Sequence, residues 1–265
     1  MSPFGSFSDD CRRIRLESPV VHNITNYVAM SLSANALLAV GASPLMSSEP
    51  GEMEEISSVC NSLVINIGCL ERLQAEAMRK AASAMSSLGK PWVLDPAGTG
   101  LSRMRTETAV GLISAFKPAV IRGNASEIMV LDGAGARSRG LDSSEDGNAA
   151  ASHAVSLAQK YGTVVSVSGP VDLITDGRRM ARVANGSPLM ASVTAMGCTA
   201  SALVAAFLAV DKDPFSAAAC AMALMGVAGE LASRSCAGTG SFAVSFIDVL
   251  STVDPAVASS MIRYE

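Results

Sequence analysis

Histidine and aromatic side chains are scarce in this chain. Two histidines and 4% aromatic residues occur among 265 positions. The six cysteines are Cys11, Cys60, Cys69, Cys198, Cys220 and Cys236. They show none of the close spacings that hold zinc, and the two histidines add little to them. The spacing argues against a structural metal site or a disulfide framework, and most of the cysteines are expected in the core.

Charged residues are also few, at 17%, and the formal net charge is -4. No block of lysine and arginine occurs, which argues against a nucleic-acid-binding surface. The first ten residues lack the charged-then-apolar order of a secretory signal. Glycine, serine or charged residues interrupt the apolar stretches before membrane-spanning length. We therefore expect a cytoplasmic protein with neither a nucleic-acid nor a membrane partner.

Two nucleotide-binding motifs are missing. The loop Asp95–Gly100 is rich in glycine and follows an apolar segment, but it lacks the Gly-Lys-Ser/Thr ending of a P-loop. No Gly-x-Gly-x-x-Gly follows an early strand, which argues against a Rossmann dehydrogenase. No internal repeat or low-complexity tract stands out.

Alternating strands and helices are the main pattern that is present. Leu63–Gly68 is typical of a buried strand, 71–88 of a helix and Trp92–Asp95 of a second strand. This order predicts βαβ units, a parallel sheet and a single α/β domain over residues 1–265. Further predicted helices span 7–17, 28–40, 105–116, 148–160, 214–234 and 241–252. Further predicted strands span 20–26, 42–46, 119–124 and 163–169, with loops at 47–51 and 133–147 and an antiparallel hairpin formed by 171–177 and 180–183, turning at Asp176-Gly177.

The rest of the predicted fold is organised around the stretch Thr194–Val210. From Cys198 onward it predicts a helix that is apolar all round and therefore buried. Gly197 supplies an unobstructed turn before it, and the free N–H groups at a helix start form an anion site. A thiol in that first turn is expected to ionise more easily and to act as base or nucleophile. A buried helix that merely begins with Gly-Cys is the alternative.

Polar residues gather at the carboxyl ends of the predicted parallel strands, where α/β proteins bind ligands. Asn66 and Asp95 lie at two such ends, and Arg122 and Asn124 at a third. Glu127 opens the next helix, where it either compensates the helix dipole or shares a magnesium ion with Asp95 through water. The polar residues His22, Asn23 and Asn26 either face a ligand or serve as caps and turns.

Four segments together carry a resemblance to a known family: His22–Asn26, Asn35–Met46, Arg122–Ile128 and Ala195–Cys198. Each is a weak motif alone, but the set, in this order over nearly the whole chain, resembles hydroxyethylthiazole kinase, a thiamine-salvage family of the ribokinase-like superfamily. The resemblance implies a three-layer α/β/α fold with a mostly parallel central sheet. It also implies transfer of the ATP γ-phosphate to the hydroxyl of 4-methyl-5-(2-hydroxyethyl)thiazole by a homotrimer with active sites between subunits. The high apolar content, 49%, agrees with an oligomer.

The resemblance also assigns roles to individual residues. It implies that Asn26, Met46 and Ala195 contact the thiazole and that Arg122 and Ser168 contact ATP. It implies a magnesium site formed by Asp95, Asn124 and Glu127. It also implies an anion hole from Ala195 to Cys198, in which Gly197 offers backbone donors and Cys198 acts as the base. The superfamily usually has aspartate where this chain has Cys198, although cysteine is common in the thiazole kinases. Many relatives have glycine at the position of Ala195, whose Cβ narrows the allowed backbone angles.

Two other functions stay open at this level. A kinase of another vitamin precursor, such as hydroxymethylpyrimidine or pyridoxal, would share the magnesium and anion-hole residues but need a different pocket wall. A sensor that binds ATP without transferring phosphate would share the fold. A thiazole kinase is favoured over a kinase of another vitamin precursor by the segments His22–Asn26 and Met46. It is favoured over an ATP-binding sensor by the complete set of Asp95, Asn124, Glu127 and Cys198.

Overall fold

A central sheet organises the computed structural model, which describes residues 3–134 and 146–265, with side chains omitted at 146–148. The described part contains eight strands in the order β2-β1-β3-β4-β5-β6-β7-β8. Their bounds are β1 Val20–Ile24, β2 Ser43–Met46, β3 Ser62–Asn66, β4 Trp92–Asp95, β5 Val120–Asn124, β6 Val164–Ser168, β7 Asp172–Thr175 and β8 Met180–Val183. The first six are parallel, and β7 and β8 add an antiparallel hairpin. This confirms the predicted mostly parallel sheet and the hairpin.

Helices cover both faces of the sheet. They are α1 Phe7–Glu17, α2 Met30–Val40, α3 Met53–Val59, α4 Arg72–Ser87, α5 Arg103–Phe116, α6 Ala125–Leu131, α7 Asp146–Tyr161, α8 Met196–Leu208, α9 Pro214–Ser235, α10 Thr239–Thr252 and α11 Pro255–Ser260, with a 3₁₀ turn at Pro188–Ser192. One core cluster joins Val64 and Val93 to helices α1, α2 and α8 to α11. A second joins Leu63 and Ile65 to helices α3 to α7. Alternate strand residues thus point to opposite layers, and the three-layer α/β/α architecture is confirmed.

The boundaries of some elements differ from the predicted ones. Helix α2 begins at Met30 because Asn26 and Ala29 form a turn closed by the Ala29 amide. Helix α8 begins at Met196, so Gly197 lies inside its first turn. The short helices α3 and α11 were not predicted, although Asp254 and a proline at the first helical position are a start signal for α11. Most of the predicted loop 133–147 lies outside the described residues.

Helix α9 was predicted at 214–234, but the expectation that every apolar stretch stops short of membrane-spanning length is wrong for it. By length and composition its 22 residues could cross a membrane, but 89% of its most apolar window is buried inside the fold. It packs against α8 and α10. The apolar surface of α9 is therefore accounted for by the core of this domain.

The amino-terminal end of helix α8 faces the carboxyl ends of the parallel strands. Its residues from Thr199 to Leu208 are all buried, as its all-round apolar sequence predicted. The Ser62 hydroxyl, at the start of β3, donates to the Ala205 carbonyl at 2.7 Å. The Ser201 hydroxyl donates to Asp95 Oδ2, at the end of β4, also at 2.7 Å. Helix and strands therefore run in opposite directions, and the amino terminus of α8 lies above the strand ends.

Candidate active site

The first turn of α8 provides a set of outward-facing backbone donors. Ala195 is the N-cap residue, and the first N–H that bonds back within the helix is that of Thr199, to the Ala195 carbonyl at 2.9 Å. The amides of Met196, Gly197 and Cys198 have no carbonyl one turn earlier to receive them. The predicted position of Cys198 in the first turn is therefore confirmed, and the turn has the geometry of an anion site.

A buried arginine lies against this turn. Arg122, on β5, is 8% exposed, and its Nε has no hydrogen-bond partner. Its Nη1 is 4.0 Å from Asp95 Oδ2. A guanidinium next to the positive end of a helix is repelled by it unless an anion lies between them. The combination of helix terminus and buried arginine therefore favours a phosphate or similar anion.

Two side-chain amides converge on the thiol of Cys198. Asn66 Nδ2 donates to Cys198 Sγ at 3.2 Å and Asn26 Nδ2 at 3.4 Å. Burial nevertheless raises the pKa of the Cys198 thiol to about 11, with a further contribution from the negative charge of Asp95. The two amides and Arg122 act in the opposite direction and do not compensate. The predicted lowering of this pKa is therefore wrong for the ligand-free protein, because desolvation by burial is the largest effect and raises the pKa.

The carboxylate of Glu127, in the first turn of α6, is held by backbone amides. Glu127 Oε1 accepts from the Gly98 amide and Oε2 from the Asn124 amide, both at 2.9 Å. Asn124 Oδ1 in turn accepts from the Glu127 amide at 2.9 Å, which completes a capping box at the start of α6. Glu127 therefore has a structural role at the start of α6, as a capping-box residue, in addition to the dipole compensation considered from the sequence. It leaves each carboxylate oxygen with a further lone pair.

Asp95 and Glu127 are close enough to affect each other. Burial raises the pKa of both carboxyl groups, and the charge of Asp95 raises that of Glu127 further. A divalent cation would relieve this repulsion, and carboxylate oxygens are ligands that Mg²⁺ prefers. No group of three or more His, Cys, Asp or Glu residues able to enclose a metal occurs in 3–134 and 146–265. The residues thus fit a magnesium ion held through water and by ligand phosphates rather than a closed protein cage.

The predicted nucleotide and substrate residues occupy neighbouring strand ends. Ser168 ends β6 beside Asn124, is half-buried, and donates to the Gly123 carbonyl at 3.4 Å. Met46 ends β2, also half-buried, in register with Asn23 of β1. The Asn26 side chain has the turn role that was the stated alternative for it, because its Oδ1 accepts from the Ala29 amide. Its Nδ2 donates to Cys198 Sγ and to Asn66 Oδ1.

Ala195 has an unusual backbone conformation. Its φ is 67° and its ψ 2°, in the left-handed region that disfavours a side chain. The predicted conflict between the Cβ of this residue and its backbone is therefore present. The conformation turns the chain into the first amides of α8, so the strain lies at the anion site itself.

Three residues of this site were given no role from sequence. Asn66 contacts Cys198, Ser201 contacts Asp95, and Asp172 accepts from the Gly169 amide at 3.0 Å beside the end of β6. Ser201 follows Cys198 by three residues, and helical spacing places the two on adjacent sides of α8. That spacing was the signal available for Ser201, and the strand-end position was the signal for Asn66. The hydrogen-bond partners of Asn66 and Asp172 depend on the assembled sheet.

The fold is that of the ribokinase-like class of α/β proteins. A ribokinase-like superfamily protein from Enterococcus faecalis V583 superimposes with a TM-score of 0.62, covering 95% of this chain and 89% of that chain at 16% identity. An identity of this size supports the fold alone.

More similar proteins narrow the class. The hydroxyethylthiazole kinase protein from Pyrococcus horikoshii OT3 superimposes with a TM-score of 0.90 at 37% identity, covering 98% of both chains. A hydroxyethylthiazole kinase from Brachyspira hyodysenteriae is 48% identical over 252 residues, 95% of each chain. The model of the hydroxyethylthiazole kinase family matches residues 11–256. This chain therefore belongs to the hydroxyethylthiazole kinase family.

Proposed function

We propose that this protein transfers the γ-phosphate of ATP to the hydroxyl group of 4-methyl-5-(2-hydroxyethyl)thiazole. The product is the thiazole phosphate that thiamine phosphate synthesis consumes, so the protein serves thiamine salvage. We further propose that it acts in the cytoplasm, as one kinase domain per chain, in a homotrimer whose active sites lie between subunits. Membership of the family and the strand-end site support the reaction.

The observation that carries the proposal is the buried guanidinium of Arg122 beside the first turn of α8. Phosphoryl transfer depends mainly on positioning and on neutralising charge around the transferring group. Arg122 supplies a fixed cation, and the amides of Gly197 and its neighbours supply donors that need no reorganisation during the reaction. The two lie against each other, since a Cβ on Gly197 would come within 2.7 Å of Arg122 Nη1.

The nucleotide brings the phosphate to be transferred, and its magnesium ion would neutralise part of the charge. Asp95 and Glu127 would hold that ion through water, with Asn124 keeping Glu127 in place. Ser168 lies at the proposed nucleotide side of the sheet. Asn26, Met46 and Ala195 lie on the other side, at the proposed thiazole pocket.

Cys198 is proposed to accept the proton that the substrate hydroxyl loses. With a pKa of about 11, roughly one thiol in ten thousand is ionised at pH 7 in the ligand-free protein. A preformed thiolate is therefore scarce, and only that thiolate can accept a proton. Cys198 acts as the base in this ionised fraction, where the O–H bond of the substrate breaks, the S–H bond forms and the substrate oxygen takes the phosphoryl group. The Cys198→Ala variant is expected to lower kcat by about 10- to 10⁴-fold while both substrates still bind.

The first experiment compares acceptors. Purified protein is incubated with ATP and magnesium and with hydroxyethylthiazole, hydroxymethylpyrimidine, pyridoxal or no acceptor, and the products are identified by mass. Phosphorylated thiazole alone is the expected result. Turnover with another acceptor would overturn the pocket assignment, and ATP binding without transfer would identify a sensor. Sedimentation of the same sample tests the trimer.

A further inference from the structure

Asn66 is positioned by the protein as firmly as any residue of the site. It ends β3, is completely buried, and lies in register with Asp95. Its Oδ1 accepts from the Gly68 amide and from Asn26 Nδ2, each at 2.9 Å. These two donors fix which end of the side-chain amide is oxygen, because the flipped amide would face them with its own N–H groups. The Nδ2 of Asn66 is thereby directed to Cys198 Sγ, at 3.2 Å, and its side chain also hydrogen-bonds Asp95.

The amide of Asn26 depends on that of Asn66. Both hydrogens of Asn26 Nδ2 are used, one by Asn66 Oδ1 and the other by Cys198 Sγ. Its Oδ1 receives the Ala29 amide at 3.0 Å. If Asn66 were removed, the Asn26 amide would lose the acceptor that sets its rotation. The two asparagines form one hydrogen-bonded unit with the sulfur.

The sulfur of Cys198 therefore accepts from two amides on the side of β1 and β3. Sulfur is a weak acceptor, so this arrangement requires both donors to be correctly placed. With two amides bound, the sulfur has its hydrogen left as a thiol, or one further lone pair as a thiolate. This group lies on the opposite side of the sulfur, where the first-turn amides and Arg122 lie. That side is where the substrate hydroxyl meets the phosphate under the proposed function.

We propose that Asn66 is a positioning residue of the phosphoryl-transfer reaction, which orients Cys198 Sγ towards the substrate hydroxyl directly and through Asn26. The inference rests on the proposed function, since it concerns the proton that the hydroxyl loses. It makes Asn66 part of the reaction although Asn66 itself touches neither substrate.

A purely structural role for Asn66 makes different predictions. A Cβ at Gly68 would lie 2.8 Å from Asn66 Oδ1 and 2.6 Å from Asn26 Nδ2, so the chain packs tightly here. If Asn66 only supports this packing, its loss should damage substrate binding and stability whether or not Cys198 is present. If it acts mainly through Cys198, its loss should have a much smaller effect on kcat once the thiol has gone, with only the contribution of its hydrogen bond to Asp95 remaining.

A double-mutant cycle separates the two roles. Asn66→Ala, Cys198→Ala and the double variant are compared with the unaltered protein by kcat and by KM for ATP and thiazole. We expect Asn66→Ala to lower kcat by about 10- to 100-fold with each KM changed by less than about threefold. In the Cys198→Ala background the same substitution should lower kcat by a clearly smaller factor, and the remainder is the contribution of its hydrogen bond to Asp95. Multiplicative losses, or a rise in KM with kcat kept, would overturn the proposal.

Asn66→Asp covers the case in which the alanine variant does not fold. The carboxylate keeps acceptors for Asn26 and Gly68 but donates nothing to the sulfur. Its added charge beside Asp95 could affect catalysis independently, and such an effect would persist in the Cys198→Ala background. The part of the loss of kcat that acts through the sulfur should disappear there, and a loss as large in the Cys198→Ala background as in the unaltered protein would contradict the proposal.

Asn61→Ala is the matched control. Asn61 precedes β3 at the opposite end, is exposed, and accepts from the Val20 amide at 2.8 Å. It should leave kcat and both KM values unchanged. Failure of the proposed function would be seen separately, because the unaltered protein would then phosphorylate no thiazole and both proposals would fall. Normal turnover that Cys198→Ala leaves unchanged would overturn the role of Asn66 alone.

Discussion

The guanidinium of Arg122 lies so close to Gly197 that a Cβ on this glycine would come within 2.7 Å of Nη1. Glycine at the second position of α8 therefore makes room for the arginine. Its conformation is not the reason, since its φ is not positive. The contact links the predicted anion hole to the predicted ATP residue, which the sequence named separately.

Substitution of Gly197 by alanine should displace this guanidinium. Because the helix itself tolerates alanine well, the fold should be kept, while the cation moves away from the anion site. We expect Gly197→Ala to lower kcat/KM for ATP by about 10- to 1,000-fold, the range seen when one charge-stabilising donor is lost. Steady-state kinetics with thiazole as the acceptor measure this effect.

Gly240→Ala is the control for that variant. Gly240 is also the second residue of its helix, α10, and a Cβ there meets no atom within 4 Å. It should have unaltered kinetics. Equal losses in the two variants would show that the effect comes from the helix start and not from Arg122.

Ala195 offers a test of local strain. An alanine at φ 67° costs about 1 kcal/mol relative to glycine in the same conformation. Ala195→Gly should therefore raise the free energy of unfolding by up to about 1 kcal/mol, less what glycine adds to the entropy of the unfolded chain. Urea unfolding followed by circular dichroism is the measurement.

Ala29→Gly provides the contrast. Ala29 is likewise an N-cap residue, of α2, but its φ is -97° and its methyl group is buried. Glycine at position 29 relieves no backbone strain and removes a buried methyl group. The free energy of unfolding should therefore fall by about 1 kcal/mol. A loss of stability in both variants would refute the strain assigned to Ala195.

The raised pKa of Cys198 predicts slow alkylation that accelerates with pH. Only the thiolate reacts, so the rate with iodoacetamide should rise about tenfold per pH unit between pH 8 and 10. Peptide mapping by mass spectrometry isolates the Cys198 product, and free cysteine, which levels off near its pKa of about 8.5, is the control. A Cys198 rate that levels off below pH 8 would restore the original expectation of an activated thiol.

Much of the fold follows from local pattern. The buried strand at Leu63, the helix after it and the strand at Trp92 each fit their own period, and their alternation requires a parallel crossover. Parallel strands bring their carboxyl ends to one edge, which is why Asn66 and Asp95 could be expected near each other before any coordinates. The Asn124 to Glu127 capping box is local as well, and its spacing shows it.

The electrostatics of the site could not be obtained in this way. The position of Cys198 at a helix start was visible in sequence and predicted a lowered pKa. Its burial and the nearby charge of Asp95, about a hundred positions away in the chain, arise only when α8 is laid over β4. The amides of Asn26 and Asn66 reach the sulfur for the same tertiary reason.

Asp172 gives a stability test whose sign depends on burial. Burial raises its pKa to about 6, against the hydrogen bond from Gly169 and the charge of Arg122. Between the unfolded value of 3.8 and about 6 the folded protein binds more protons, so this group lowers stability as pH rises through that window, by up to about 3 kcal/mol. Asp172→Asn keeps an acceptor for Gly169 and removes the charge. In urea unfolding, the free energy of unfolding of Asp172→Asn should exceed that of the unaltered protein. This difference should grow from pH 4 to about 6.5 and then stay constant.

Asp176, at the other end of β7, should behave in the opposite way. Burial raises its pKa, but hydrogen bonds from the backbone and side chain of Arg179 outweigh it, and the net pKa is lowered. Its contribution to stability is therefore present above the unfolded pKa of 3.8 and lost as the pH falls below it. Asp176→Asn should be less stable than the unaltered protein at pH 7, and the deficit should shrink towards pH 3. If both variants shifted stability in the same direction at pH 7, burial would not be what distinguishes the two carboxylates.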